Sequence, residues 1–333
     1  MDELEQRLRA ANPVRAQRDE PLTLRAEADL ARIVDGTAVA RRTPRASHRP
    51  RPAVYWIIGL AAALTIALVV TLTNLGQPVP ASLAAPPRLK ATPIAEGSDA
   101  TLARLIAAAR SQPDTTAEQD FDIRIEGWYS NVTVTEKETA WVVQPQEVTL
   151  RRYADGSGRV ETHAGPVRWG AEPPDLSAAP GSLISRDDYP AGEYPMLYPT
   201  PPPTTGAELR AYIEAILSGG TPDVTLTTGD YFNEAESVRN EWVLSGARSA
   251  ALLELIRSLD GVEMLGRVTD RLNRPGIAFQ AKSGEKGSFR TILIFDETTG
   301  ALLSSERVYI GGAKDVTYPS GSVVSYTAWK DPS

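Results

Sequence analysis

The chain has 333 residues, 35 basic and 42 acidic side chains and no cysteine, so disulfides, thiolate metal sites and thiol catalysis are excluded. The first 52 residues hold 11 basic and 8 acidic side chains, net +3, whereas the remainder holds 24 and 34, net −10. An acidic portion of this kind argues against nucleic acid as a ligand.

Residues 1–52 are predicted to be a cytoplasmic segment with short helices and an arginine cluster. Helical patterns cover Asp2–Ala11 and Pro21–Val34, and each of these helices is too short to be stable alone in water. Five arginines then crowd between Arg41 and Arg51. Two interpretations stay open for the helices: an element that folds on a cytoplasmic protein partner, or a solvated tail beside the membrane.

The next segment, residues 53–75, is predicted to be a single transmembrane helix. Ala53–Leu72 contains no charged residue, and about twenty helical residues cover the roughly 30 Å of a bilayer's hydrocarbon core. The arginine cluster before it places the N-terminus in the cytoplasm and the rest of the chain outside the plasma membrane. A cleavable signal peptide is the alternative, but this apolar run exceeds the roughly 7–15 residues of such a signal.

Residues 76–97 are predicted to be a Pro/Ala linker, and residues 98–333 an extracytoplasmic domain. The linker contains five prolines among small residues, which favours an extended spacer between the membrane and the domain. The domain opens with a helix from Ser98 that ends before Pro113.

Several short strands are predicted after this helix. Apolar residues alternate with charged ones over Phe121–Glu126, and shorter alternations occur at residues 141–143 and 148–150. Between the later strands, Tyr153–Arg159 has the composition of a tight hairpin turn. Alternation of this kind predicts an antiparallel sheet with one solvated face.

A proline-rich segment, Pro173–Pro203, interrupts the strands with nine prolines in 31 residues. Since proline lacks the backbone donor, this segment cannot supply a central strand. It also contains Tyr189, Tyr194 and Tyr198. It is therefore either a mobile loop or a lid over the sheet with its tyrosines buried as anchors.

Three helices and five strands are predicted in the C-terminal part. They are helices Thr205–Ser218, Asp230–Leu244 and Arg248–Leu259, and strands Val262–Thr269, Gly276–Ala281, Phe289–Phe295, Leu302–Ile310 and Val323–Trp329. Turn residues between successive strands favour an up-and-down meander. The predicted fold class is α+β: one transmembrane helix plus an extracytoplasmic curved antiparallel sheet with helices on one face, an open half-barrel being one form of it.

Motifs with catalytic chemistry are almost absent. Ser283–Lys286 matches the S-x-x-K pattern, but its overlap with a K-T-G-like triplet in one hairpin loop predicts exposed turn residues without a catalytic role. His163 is the only histidine of the predicted outer part, which disfavours a catalytic triad and a histidine zinc site. No cofactor or metal site is predicted, and only Asp187–Asp188 and Asp296–Glu297 stay open for acid/base work.

Several stretches carry a resemblance to known proteins. They are Leu8–Val14, Asp155–Arg159, Leu259–Val262, Gly266–Asp270, Arg274–Gly276 and Ile294–Leu302. Together with the single span, they resemble a family of actinobacterial single-span membrane proteins with no assigned activity. The architecture of the outer domain is also similar to the half-barrels of lipoprotein carriers and envelope stress sensors, which implies a concave face that takes an acyl chain or a peptide.

A ligand groove is therefore expected on the concave face of the sheet. The predicted groove residues are Ile123, Ile125, Ile292, Ile294, Tyr189, Tyr194 and Tyr198. The leading hypothesis is a non-catalytic envelope protein whose outer domain binds an apolar or peptide ligand and relays its occupancy to a cytoplasmic partner. The alternative is a cell-envelope hydrolase or transferase that uses carboxylates, which a deep cleft with two converging acids would favour.

Overall fold

The computed structural model describes residues 86–113, 121–129, 131–134, 139–142, 145–166, 178–219, 225–284, 287–312 and 319–330. The predicted cytoplasmic segment and transmembrane helix lie outside these residues. Within the described part, no helix is both long enough and apolar enough to cross a membrane.

The central element is an open, nine-stranded antiparallel sheet. Its described strands are β1 (Phe121–Tyr129), β4 (Gln146–Arg152), β5 (Gly158–Ala164), β6 (Leu183–Tyr189), β7 (Glu263–Thr269), β8 (Pro275–Ser283), β9 (Phe289–Phe295), β10 (Leu302–Tyr309) and β11 (Val323–Lys330). The strand order is β6-β5-β4-β1-β11-β10-β9-β8-β7. The predicted C-terminal meander is confirmed, and β1 joins it to the N-terminal strands by pairing with both β4 and β11.

Two further strands form a separate ribbon. β2 (Asn131–Val134) pairs only with β3 (Thr139–Val142), so the strand predicted around residue 141 exists but does not join the main sheet. The hairpin turn predicted at Tyr153–Arg159 is confirmed, because the amide of Tyr153 donates to the carbonyl of Ser157 at 2.9 Å and β4 pairs with β5 on either side.

Four helices accompany the sheet in the described part. They are α1 (Ser98–Arg110), α2 (Gly206–Ser218), α3 (Thr228–Glu241) and α4 (Gly246–Arg257). Thr205, Thr227 and Ser245 cap the last three by accepting from amides in the first turn, which explains why each begins where it does. The first helix begins at Ser98, as predicted, and Gly97 occupies its N-cap position without a side-chain bond.

The helices all pack on one face of the sheet, as predicted. The main core joins side chains of the four helices, such as Leu105, Ile213 and Phe232, to inward residues of the sheet, such as Phe279 and Leu293. Burial of each such side chain is worth about 1.5–3 kcal/mol relative to exposure. Two smaller apolar clusters lie on the other face, and among the described residues they include no helical side chain. We call this the helix-free face.

Residues 86–97 belong to the folded domain rather than to a free linker. Thr92 forms a two-way backbone bridge with Arg267 of β7, Leu89 packs on the helix-free face, and Ile94 packs against the main core. The predicted domain boundary at Ser98 therefore lies too late. The prediction of a spacer relied on proline content alone. It missed the docking contacts because they come from residues far along the chain, such as Arg267.

Candidate ligand-binding surfaces

The predicted groove residues lie on two different faces of the sheet. Ile123 and Ile125 point into the main core beneath the helices, whereas Ile292 and Ile294 lie on the helix-free face. The prediction that all four share one face is therefore wrong. The strand register places Ile125 of β1 and Leu293 of β9 on the same face of the sheet. Ile292 and Ile294, which flank Leu293, therefore point to the opposite face.

The helix-free face carries an apolar patch beside the β7 edge. The patch consists of Val268, Ala278, Ile292, Ile294 and Leu303, and Leu89, Leu265 and Val308 pack against it. Leu89 reaches the patch from an extended segment, residues 86–94, and not from a helix. The sheet therefore already seats an extended stretch of polypeptide at this position.

The backbone of this extended segment is fixed at the sheet edge. The amide of Thr92 donates to the carbonyl of Arg267 at 2.8 Å, and the amide of Arg267 donates back at 2.9 Å. Gly266 makes the close approach possible, because a Cβ there would lie 2.2 Å from the carbonyl oxygen of Thr92. Its φ of +115° is also a conformation that favours glycine.

Two arginines hold the beginning of the extended segment. Arg88 donates to the carbonyls of Gly321 at 2.7 Å and Ser320 at 2.9 Å, on the turn before β11. Arg271, in the turn after β7, donates to the carbonyl of Pro87 at 2.8 Å. The segment is thus tied to two turns as well as to the strand edge.

Arg271 is itself fixed by a buried ion pair. Its guanidinium binds both carboxylate oxygens of Glu306 on β10, at 2.7 and 2.8 Å, and the two side chains are only 7% and 1% exposed. Burial raises the pKa of Glu306, which the arginine opposes. Removing one partner of such a pair leaves an uncompensated buried charge and costs about 3–5 kcal/mol, so the pair is a rigid support for the docking of Pro87.

A polar stripe on α3 forms a second distinctive surface, on the helical side of the sheet. Glu236 accepts from the hydroxyls of Ser305 at 2.9 Å and Thr327 at 2.7 Å. One turn earlier, Asn233 accepts from Thr291 at 2.9 Å and Arg307 at 3.0 Å. Each carboxylate oxygen of Glu236 is engaged by a hydroxyl, so the stripe fixes α3 on the sheet and does not present a free base.

Ser283 belongs to the same polar network. It is the last residue of β8 and is 3% exposed, so the prediction of an exposed turn residue is wrong. Its hydroxyl lies 2.8 Å from that of Thr291. Because Thr291 already donates to Asn233, Ser283 is the donor in this contact. Lys286, the other end of the S-x-x-K match, lies outside the described residues.

The proline-rich segment contributes strand β6 to the sheet, and its later residues are anchored on α3 through a buried tyrosine, as the lid interpretation expected. Tyr198 is fully buried, and its hydroxyl donates to Glu234 at 2.6 Å. Glu241 accepts from the amides of Leu197 at 2.9 Å and Tyr198 at 2.7 Å, while the indole of Trp242 donates to the Tyr198 carbonyl at 2.8 Å. Burial raises the pKa values of both glutamates.

The other two tyrosines of this segment close an aromatic cluster. Tyr194 contacts the rings of Tyr189 and Phe121 edge-on, with centroids 5.3 and 6.3 Å apart. Burial raises the pKa of Tyr194 above its ordinary range. These tyrosines are partly buried and pack against the main core, on the side of the sheet that holds the helices. Ile292 and Ile294, which were predicted to line the same groove as these tyrosines, lie on the opposite, helix-free face of the sheet.

The acidic pairs left open for catalysis lie in a strand and in a turn. Asp187 and Asp188 lie in β6, not in a loop, and point to opposite sides of the strand. Asp296 accepts from Thr298 and Thr299 within a turn, and although burial opposes ionisation, these bonds hold its pKa below the ordinary value.

Glu297, the second acid of that turn, forms a bidentate ion pair with Arg267. That hydrogen bonding lowers the pKa of Glu297. In the described part of the chain, no three histidine, aspartate or glutamate side chains are grouped so that they could hold a metal ion.

The fold and its surfaces define an α+β protein with an open antiparallel sheet, one helical layer and one extended segment docked on the opposite face. No protein-family model matches the chain. A search of curated proteins likewise found no match. The docking residues Gly266, Arg271 and Glu306 were not predicted from the sequence, although the Gly266–Asp270 stretch was among those that carried the resemblance.

Proposed function

We propose that the chain is a single-pass envelope protein whose outer domain binds an apolar or peptide ligand without catalysis. The apolar run at residues 53–75 and the arginines before it support the membrane anchor and its orientation. The resemblance to actinobacterial single-span proteins and to half-barrel carriers, with a curved sheet, is part of the same proposal. The N-terminal helices are the proposed contact with a cytoplasmic partner.

One observation carries the binding function: residues 86–92 dock on the helix-free face and on the outer edge of β7 without forming a helix. The seat combines an apolar patch for Leu89, a backbone bridge at Arg267 and carbonyl acceptors for Arg88. These are the components of peptide recognition at a sheet edge, where the backbone supplies affinity and the side-chain seats supply specificity.

The contacts made by several acidic side chains favour a binding function over a catalytic one. Glu236, Glu241, Asp296 and Glu297 are each engaged by hydroxyls, amides or arginine in contacts that hold elements together. Asp187 and Asp188 cannot converge, because adjacent residues of a strand point to opposite faces.

The position of the docked segment in the chain supports the proposed relay. Residues 86–94 follow the proposed membrane span after only about ten residues, so a change in their seating alters the connection between the domain and the membrane. The cytoplasmic helices lie at the other end of that connection. The proposed signal is thus whether a ligand occupies the surface on which residues 86–94 dock.

The test is native mass spectrometry of the full-length chain, purified from its host and released from lipid nanodiscs. We expect an additional mass that corresponds to an apolar molecule or a peptide. The bound mass should disappear in Leu265→Asp, at the β7 edge, and persist in Leu183→Asp, on the opposite edge strand. A parent chain without any bound molecule would contradict the proposal.

A further inference from the structure

We propose that the β7 side of the helix-free face is a docking site for an extended peptide in trans, and that residues 86–94 are its occupant in cis. This inference rests on the proposed binding function and deepens it by naming the place and the ligand class. The site consists of the apolar patch, the outer edge of β7 and the carbonyls of the turn before β11.

The contacts of the cis occupant specify what the site recognises. An arginine reaches the carbonyls of Gly321 and Ser320, and the next residue, Leu89, enters the apolar patch. Three residues later, Thr92 makes both hydrogen bonds of its bridge with Arg267. The ligand class is therefore an extended peptide with an Arg-Leu pair followed three residues on by a residue in strand conformation.

The site has room for a ligand that makes more contacts than the cis segment. β7 is the last strand of the sheet, and in the described residues its outer edge pairs only at the isolated Thr92–Arg267 bridge. A longer strand adds backbone bonds on the free part of the edge, as in strand addition to other sheets. Gly266 keeps the backbone of the occupant close to β7 in either case.

The cis segment competes because it is covalently attached. A tethered segment has an effective concentration of about millimolar for a short linker, so a free peptide with identical contacts binds poorly until the cis segment is released. Removing the cis contacts should therefore raise the apparent affinity of a free peptide by about tenfold or more. When a separate peptide binds, residues 86–94 leave the site. The stretch between the proposed membrane span and the folded domain is then no longer held on the sheet.

The experiment uses a fluorescent peptide with the sequence of residues 86–94, PPRLKATPI, and the full-length chain in nanodiscs. We expect weak binding to the parent chain and at least about tenfold tighter binding to Leu89→Asp, measured by fluorescence anisotropy. The same peptide with aspartate in place of its leucine is the matched control and should bind neither protein. Thr92→Pro, which removes one donor of the bridge, is a second variant that should change affinity in the same direction.

Hydrogen exchange gives the readout that distinguishes docking from general loosening. In the parent chain the amides of Thr92 and Arg267 are both protected, because each donates to the other residue's carbonyl. In Leu89→Asp both should exchange faster. Peptide added to that variant should restore protection at Arg267 and leave Thr92 fast, since the free peptide replaces Thr92 on β7.

Two results would overturn the inference. One is a folded Leu89→Asp or Thr92→Pro chain that binds the peptide no better than the parent; the other is Thr92 protection that persists in Leu89→Asp. Bound ligand in the native mass spectrum together with either result would leave the binding function standing and place its site elsewhere.

Discussion

Gly266 is the residue at which backbone conformation decides whether residues 86–94 can dock on β7. Its φ is +115°, and a Cβ added to it would lie 2.2 Å from the carbonyl oxygen of Thr92. Sequence alone marks Gly266 only as a glycine within a strand pattern, which is typical of a bulge or a close backbone approach. The approaching partner, 174 positions earlier, is not visible from that pattern.

Gly266→Ala should release residues 86–94 from β7. The new methyl group would lie 2.2 Å from the Thr92 carbonyl and would also strain the backbone, so we expect lost exchange protection at Thr92 and a stability loss of about 1–3 kcal/mol. Gly181→Ala is the control, because Gly181 has a φ of +82° with nothing within 4 Å of its Cβ position. Retained protection at Thr92 in Gly266→Ala would contradict the docking geometry.

Glu234 provides a pH test at the residue scale. Burial raises the pKa of this carboxyl above its ordinary value of 4.5, so the folded state binds its proton more tightly than the unfolded chain. The resulting stability is fully present below pH 4.5 and is lost as pH rises through the folded pKa.

Glu234→Gln should therefore flatten the pH dependence of unfolding above about pH 4.5 and make the domain relatively more stable at neutral pH. The amide oxygen of glutamine still accepts from Tyr198. Denaturant titrations from pH 4 to 8 test this, with Glu193→Gln on an exposed turn as the control. Equal pH profiles for Glu234→Gln and the parent would show that this carboxyl is not linked to folding.

Single strands show how far the sequence determines the fold. In β1, charged residues alternate with Phe121, Ile123 and Ile125, so the inward face was predicted correctly. In β9 both faces are buried, with Leu293 on one and Ile294 on the other. The sequence of β9 therefore shows no alternation that would indicate which side chains face the helices. That assignment depends on how β9 pairs with β10 and β8, since a one-residue shift in register exchanges the two faces.

The same limit applies to the proposed binding surface. The helices, the C-terminal strands and the packing of the helices on one face followed from periodicity and turn residues, whereas β6 did not. The buried pair of Arg271 with Glu306 did not, because a charged turn residue and a charged strand residue are usually solvated, and their pairing depends on the three-dimensional arrangement. The edge position of β6 explains why Asp187 and Asp188 occur in a strand and not in the predicted loop.

The proline-rich segment should behave as part of the core and not as a removable lid. Tyr198 is fully buried and bonded to α3, so Tyr198→Ala should lower the free energy of unfolding by about 3–5 kcal/mol. Tyr153 is 49% exposed, and Tyr153→Ala should change stability by no more than about 0.5 kcal/mol. Chemical denaturation compares the two, and equal small effects would indicate that the segment is only loosely attached.

At the scale of the whole molecule, the proposed function depends on where the folded domain lies. The five arginines between Arg41 and Arg51, directly before the proposed span, agree with a cytoplasmic N-terminus and an outer domain. The location is therefore the central claim on which ligand binding outside and relay inside both depend.

The most direct test is cysteine labelling in intact host cells, since the chain has no cysteine of its own. Leu183, on the edge strand β6, is 55% exposed and is a suitable position for a single Leu183→Cys substitution. A membrane-impermeant maleimide should label Leu183→Cys in intact cells and should label Ala38→Cys, in the proposed cytoplasmic segment, only after lysis. Labelling of Leu183→Cys only after lysis would contradict an extracytoplasmic domain and the function proposed for it.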